Sequence, residues 1–150
     1  MSPDDIPLLF RYSSRGLRSG ELREFLRGIA RGRNVTCLIT DDREMRRLNR
    51  QFRGADYATD VLSFPNENGG EIAISLERAK AQAAEHGHSV FDEVRILMLH
   101  GVLHLSGMDH ENDSGEMARA EVRWRRKLGL PTGLIERARS GRPRVERARA

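Results

Sequence analysis

The stretch from Ser89 to His110 constrains this chain more than any other part of it. Val94, Ile96, Leu97, Leu99, Val102, Leu103 and Leu105 give a helix there an apolar surface on nearly every side. Such a helix must be covered all round, so it predicts the central, buried helix of the fold, with the other elements arranged about it. Ser89-Val-Phe-Asp92 resembles a capping box at its start, with Asp in place of the usual Glu or Gln. Gly107 can take a left-handed conformation and end it.

Within this segment His100, His104 and His110 stand at i, i+4 and i+10. Residues four apart share one face of a helix, so His104 sits about one turn above His100. Two such imidazoles can reach one metal ion at roughly 2.0–2.1 Å. If the chain folds back at Gly107, His110 becomes a third ligand, and three protein ligands leave a fourth position open, the pattern of a catalytic zinc site. The alternative is three histidines satisfied separately around a core helix. Three of the chain's five histidines within one short segment, at ligand spacing and divided by a helix-ending glycine, favour the metal. Imidazole also suits Ni, Co, Cu and Fe.

The spacing equals that of the metzincin peptidases, H-E-x-x-H-x-x-G-x-x-H, in which the Glu after the first His is the general base. Gly101 stands at that position and can take no proton. A metal here could still activate water or polarise a phosphoryl oxygen, so an electrophile other than a peptide carbonyl is expected.

The string HGVLHLSGMDH (100–110) resembles the HGxLHLxGxDH signature of the YbeY-type endoribonucleases. LNRQFRGADYATDVLSFP (48–65) is similar to that family's LN…YR…TDVLSFP segment, and GEIAIS (70–75) to its GDIxIS strand, in the same order and spacing. Ala58 replaces the usual Pro before Thr-Asp-Val-Leu-Ser-Phe, and Glu71 replaces the usual Asp; neither touches the metal motif. The resemblance implies a zinc-dependent, single-strand-specific endoribonuclease that acts in 16S ribosomal RNA 3′-end maturation and in ribosome quality control. It implies one zinc ion per chain held by His100, His104 and His110, and an Arg53 that matters for RNA cleavage. The partners it implies are single-stranded ribosomal RNA and the small ribosomal subunit with its proteins.

A chain of 150 residues can bury the core of a single domain. The lone Cys37 lies in the apolar run Val35–Thr40, which reads as a buried strand, and it can form no internal disulfide. The start, Met-Ser-Pro-Asp-Asp, does not read as a signal peptide, and the stretch Val94–Met108 reads as too short and too polar to span a membrane. The expected compartment is therefore the cytoplasm. Residues 129–150 carry six Arg and two Glu, a net +4 that equals the net charge of the whole chain. We therefore expect a domain over 1–132 and a basic, flexible tail over 133–150. Such a tail either contacts phosphates or is a solvated end.

Strands are expected at Ile6–Tyr12, Val35–Thr40, Val61–Phe64 and Glu71–Leu76, with a turn over Asn66–Gly70. Helices are expected at Gly20–Ala30, after Asp41, over Leu76–His86, over the metal-bearing segment and, last, over Ser114–Leu128. This mixture predicts a single-domain α+β fold, a small mixed sheet packed by helices around the central helix.

Other residues carry two readings each. Arg53, in an expected loop, is a surface residue unless it pairs with a phosphate oxygen. Asp109 either orients a ligand imidazole or caps the turn after Gly107. Glu111 reads first as exposed, and Asp60, beside Thr59, either braces the loop or forms an Asx turn. His86 and His88 read as surface residues at a helix end, and Trp124 as core rather than as a base-stacking platform. Two functions other than the nuclease stay open on residues alone. One is a zinc metallopeptidase or other hydrolase using Asp109 or Glu111 as base. The other is a ribosome-assembly factor with a mainly structural metal site.

Overall fold

The computed structural model describes the backbone of residues 8–10 and 17–139, with side chains from 17 to 138. The elements run β1 (Leu8–Phe10), α1 (Ser19–Ala30), β2 (Asn34–Thr40), α2 (Asp42–Arg53), β3 (Val61–Asn66), β4 (Gly69–Ser75), α3 (Leu76–His86), α4 (Val90–Leu105), α5 (Glu116–Leu128) and α6 (Leu134–Arg139). The sheet order is β1-β2-β4-β3, parallel at β1–β2 and β2–β4 and antiparallel at β3–β4. This is the expected α+β domain with a small mixed sheet. The flanks of the expected first strand lie outside the described residues.

Local chemistry sets the helix boundaries. Asp41 accepts a bond from the Glu44 amide, and Ser75 from the Arg78 amide, so each begins its helix with a filled cap. Ser89 accepts from the Asp92 amide in the same way. Gly54 and Gly87, both left-handed, close α2 and α3.

The β3–β4 connection is tighter than the sequence indicates. The turn is Glu67-Asn68 alone, while Gly69 and Gly70, expected in the turn, are the first residues of β4. A Cβ on Gly69 would lie 2.3 Å from the Asn34 carbonyl oxygen; one on Gly70 would lie 2.5 Å from the Phe64 carbonyl oxygen and 2.6 Å from Leu105 Cδ2. These glycines serve close approach. Pro65, just past the expected strand Val61–Phe64, lies inside β3, which an edge strand tolerates because one row of its amides needs no partner.

Alternation along the strands splits the core in two. Cys37, Val61, Ile72 and Ile74 join the large cluster with Val94, Leu97, Met98 and Val102 of α4. Leu62 and Ala73 face the other way and pack with Met45 of α2, flanked by Leu48 and Phe64. Helix α4 therefore lies on one face of the sheet and α2 on the other. It buries eleven of its sixteen residues, which meets the expectation of a central helix.

Both helices run in the same sense relative to the β3–β4 hairpin. Ser75 Oγ donates to Asp42 Oδ1 at 2.6 Å, which places the start of α2 at the end of β4. At the other end Phe52 meets Phe64 edge-on at 5.4 Å between ring centres, and Leu105 covers Gly70. The C-terminal ends of α2 and α4 thus share the hairpin-turn end of the sheet, across its thickness.

The expected tail boundary at residue 133 needs correction. Leu134, Ile135 and Arg137 of α6 are buried, so the folded part continues beyond Pro131. Residues 140–150 lie outside the described residues. Cations that read as tail charge include one, Arg137, whose guanidinium finds a buried carboxylate.

Candidate metal centre

Helix α4 presents His100 and His104 one turn apart. Gly107, at φ +90°, then turns the chain, with its amide bonded to the His104 carbonyl at 3.0 Å and the Met108 amide to the Leu103 carbonyl at 3.2 Å. The turn returns His110 to the other two. The ring centres lie 4.8 Å apart for His100–His104, 5.5 Å for His100–His110 and 5.7 Å for His104–His110. One nitrogen from each ring lies within 4.8 Å of the other two.

These residues fit a metal ion. Two ligands at the ordinary zinc–nitrogen distance and tetrahedral angle are separated by about 3.3 Å. The Nε2 atoms of His100 and His104 are 3.2 Å apart. That distance alone is also a hydrogen bond between two rings; the third imidazole makes it a set that could hold an ion. His100 is fully buried, whereas His104 and His110 are half-buried, so one side of the cluster faces solvent.

His100 is oriented from behind. Its Nδ1 lies 3.1 Å from Glu121 Oε2, on α5, with the two side chains 0% and 1% exposed. A carboxylate accepts only, so Nδ1–H donates and the Nε2 lone pair is left facing His104 and His110. Glu121 escapes sequence reasoning because it lies in Glu-Val-Arg-Trp-Arg-Arg-Lys, a run with the composition of a solvated face. A helical register of Met117, Ala118, Ala120 and Glu121 on one buried side was the available signal.

Gly101 has a packing reason. Its carbonyl accepts from Ser63 Oγ at 3.1 Å, and a Cβ there would lie 3.0 Å from Ile72 Cγ2 and 3.2 Å from Ser63 Oγ. The helix sits so close to β3 and β4 that a side chain at this position would press on Ile72 and Ser63. The peptidase glutamate is absent, and the packing disfavours one.

The other candidates separate. Arg53 is exposed in the last turn of α2 rather than in a loop, at the same end of the sheet as the histidines. Asp109 accepts from the Glu111 amide at 3.2 Å and from Asn112 Nδ2 at 2.5 Å, both within its own turn; Glu111 is exposed. Thr59 and Asp60 are fully buried. Asp60 accepts from the Val61 amide at 2.8 Å and from Gln82 at 3.4 Å, and its carbonyl accepts from Ser75, so it braces the start of β3. His88 is not a surface residue: its Nε2 is 2.6 Å from Glu93 Oε1 within a buried network. His86 is half-buried, and burial foremost lowers its pKa from the usual histidine value. Trp124 is half-buried against the core, with Arg31 4.9 Å and Lys127 5.2 Å from its ring centre, where both cations lie over the ring. Burial pushes the Cys37 thiol up to about 12, so it is no nucleophile.

Among the described residues no helix is long and apolar enough to cross a membrane. A family model described as Endoribonuclease YbeY matches residues 20–129. A relative from Solibacter usitatus, named Endoribonuclease YbeY, is 55% identical over 145 residues, covering 93% of this chain and 99% of its own. One of the same name from Nautilia profundicola is 52% identical over 110 residues, covering 70% and 79%. A solution structure of a Thermotoga maritima protein shares the fold with a TM-score of 0.56 and 29% identity, over 78% of this chain and 85% of that one.

Proposed function

The chain belongs to the YbeY endoribonuclease family, and from that premise we propose that it is a zinc-dependent, single-strand-specific endoribonuclease acting in the cytoplasm on the 3′ end of 16S ribosomal RNA, in maturation and in ribosome quality control. The observation that carries the metal dependence is the three-imidazole cluster closed by the turn at Gly107. His100, His104 and His110 would hold the ion, and its chemistry when bound is Lewis acidity toward a phosphodiester.

The remaining work belongs to the protein's own groups. Glu121 holds His100 in one tautomer, and the buried wall of α4 keeps that imidazole fixed. Arg53 offers a fork of donors that pairs with phosphate oxygens and offsets charge developing on phosphorus. It is exposed in the last turn of α2, on the opposite face of the sheet from α4, and the resemblance rather than a measured distance supports its role. Gly101 disfavours the peptidase reading, since the position of the peptidase base carries no carboxylate and is tightly packed against Ile72 and Ser63. The small ribosomal subunit and its proteins are the partners this function requires.

The test is cleavage of RNA carrying the small-subunit 3′ end, as a single strand and as a duplex, by protein stripped with chelator and reloaded with zinc. Expected is cleavage of the single strand only, lost on stripping, restored by zinc, lost in His104→Ala and reduced about a hundredfold in Arg53→Ala, the scale for removing one charge-stabilising group. Equal cleavage by stripped protein and by His104→Ala would overturn the metal dependence. Normal 3′ ends in cells relying on His104→Ala protein would overturn the substrate.

A further inference from the structure

Glu121 is an expensive residue for its place. A carboxylate at 1% exposure has lost nearly all its hydration, and such a group persists where donors replace the water. Both of its oxygens have them. Oε2 faces His100 Nδ1 at 3.1 Å, and Oε1 accepts from the Ile135 amide in the first turn of α6 at 2.9 Å. The chain also clears a seat for it: a Cβ on Gly133 would lie 2.3 Å from Glu121 Oε1, 2.6 Å from its Cδ and 2.8 Å from its Cγ. Three elements therefore converge on this carboxylate: α5 supplies it, α4 supplies the imidazole, and α6 with the residue before it supplies an amide and an empty space.

From this convergence we infer that Glu121 is the positioning residue of the metal centre, and that Gly133 and the start of α6 belong to that centre because they fix the Glu121 carboxylate against His100. The inference rests on reading the three histidines as metal ligands. A carboxylate seated behind a ligating imidazole fixes the ring and raises its basicity. Here the carboxylate is itself anchored by a backbone amide, whose position is set by the burial of Leu134, Ile135 and Arg137. The segment after α5 thus supports the metal site although none of its residues reaches the metal.

Two substitutions separate this role from a general contribution to folding. In Glu121→Gln the side chain keeps one acceptor while its two partners both donate, so one donor is left facing an amide NH2. In Gly133→Ala the carboxylate remains but the new methyl displaces it, since the atoms in the way are Oε1, Cδ and Cγ of Glu121 itself. Zinc affinity is read by competition with a chromophoric chelator, and the visible absorption of the cobalt-substituted protein reads the ligand field. Circular dichroism and melting of the metal-free protein check the fold. Expected is a zinc affinity 10- to 100-fold weaker in both folded variants, the usual cost of losing such a partner, with a shifted cobalt spectrum. Affinities within about twofold of the parent and an unchanged cobalt spectrum would overturn the inference. If Glu121→Gln does not fold, Gly133→Ala decides the matter alone. A parent protein that binds no zinc would overturn the metal reading and this inference together, a result distinct from variants that bind as the parent does.

Discussion

Arg137 closes on Glu93 with both ends of its fork. One terminal nitrogen lies 2.9 Å from Oε2 and the other 2.7 Å from Oε1, with the two side chains 2% and 0% exposed. Gln82 and His88 complete the shell around the same carboxylate, at 3.3 Å and 2.6 Å. This ties α6 to the start of α4, at the opposite end of that helix from the histidine turn.

Removing one partner of such a pair strands a charge away from water. Arg137→Met is expected to destabilise the domain by about 3–5 kcal/mol, measured by urea unfolding. The double variant Glu93→Leu, Arg137→Met is expected to lose less than the single one, because no uncompensated charge remains. A single variant within about 1 kcal/mol of the parent would show that the pair is replaceable by water.

Gly101→Ala sets two effects against each other. Alanine in a helix interior gains about 0.5–1 kcal/mol over glycine. The new methyl must fit against Ile72, which is 1% exposed, and Ser63 Oγ, both within 3.2 Å of it. Overpacking a well-filled core costs about 1–3 kcal/mol, so a net loss near 1 kcal/mol is expected by thermal unfolding. Net stabilisation would mean that α4 can lift from the sheet at no cost.

Asp113 predicts an acid limit. Its carboxylate accepts from the Met117 amide at 2.9 Å and from the Gly115 amide at 2.9 Å, and these bonds, the Met117 one first, hold its pKa below the ordinary value. A group depressed by folding contributes stability that is present above the unfolded value, about 3.9, and lost as pH falls through the lower folded value. The melting temperature of Asp113→Asn should therefore lie below the parent's by a constant margin from pH 7 to 5. That margin should shrink as acid titrates the parent. A margin independent of pH down to about 2 would refute the cap.

Cys37 should be silent. It is fully buried on β2, and its thiol is held in the neutral form by burial. Disulfide reagents are expected to label it only as fast as the domain opens, with the rate rising as denaturant is added. Rapid labelling of the native protein would show that the sheet between β1 and β4 is loose.

What the sequence disclosed and what it withheld follow from range. His100, His104 and the break at Gly107 are local signals, governed by one helical turn and one glycine, and the structure keeps them as they read. The apolar girdle of α4 likewise forecasts its central place. Glu121 and Arg137 were hard to read because each sits among charged neighbours, and the apolar residues beside them, Met117, Ala118 and Ala120 or Leu134 and Ile135, do not say that a charge is buried with them. Each is made acceptable by a partner on another element. Gly69, Gly70 and Gly101 were visible as glycines, but their reason is the nearness of Asn34, Phe64 and Ile72, which only the folded chain shows. Arg53 was singled out by resemblance alone; its own surroundings describe an ordinary exposed cation.

The sheet order carries a kinetic consequence. β3 and β4 are neighbours in sequence and join through two residues, whereas β2 can pair with β4 only after α2 and β3 have been laid between them. Local pairings close with little loss of chain entropy, and distant parallel ones are slow. The hairpin is thus the part of the sheet able to form early, with β1 and β2 added to it. Helix α4 docks on that hairpin through Gly101, so the platform beneath the histidines is available while the rest of the sheet is still being assembled. Substitutions in β3 or β4 should then slow folding, and those in β1 or β2 should mainly speed unfolding.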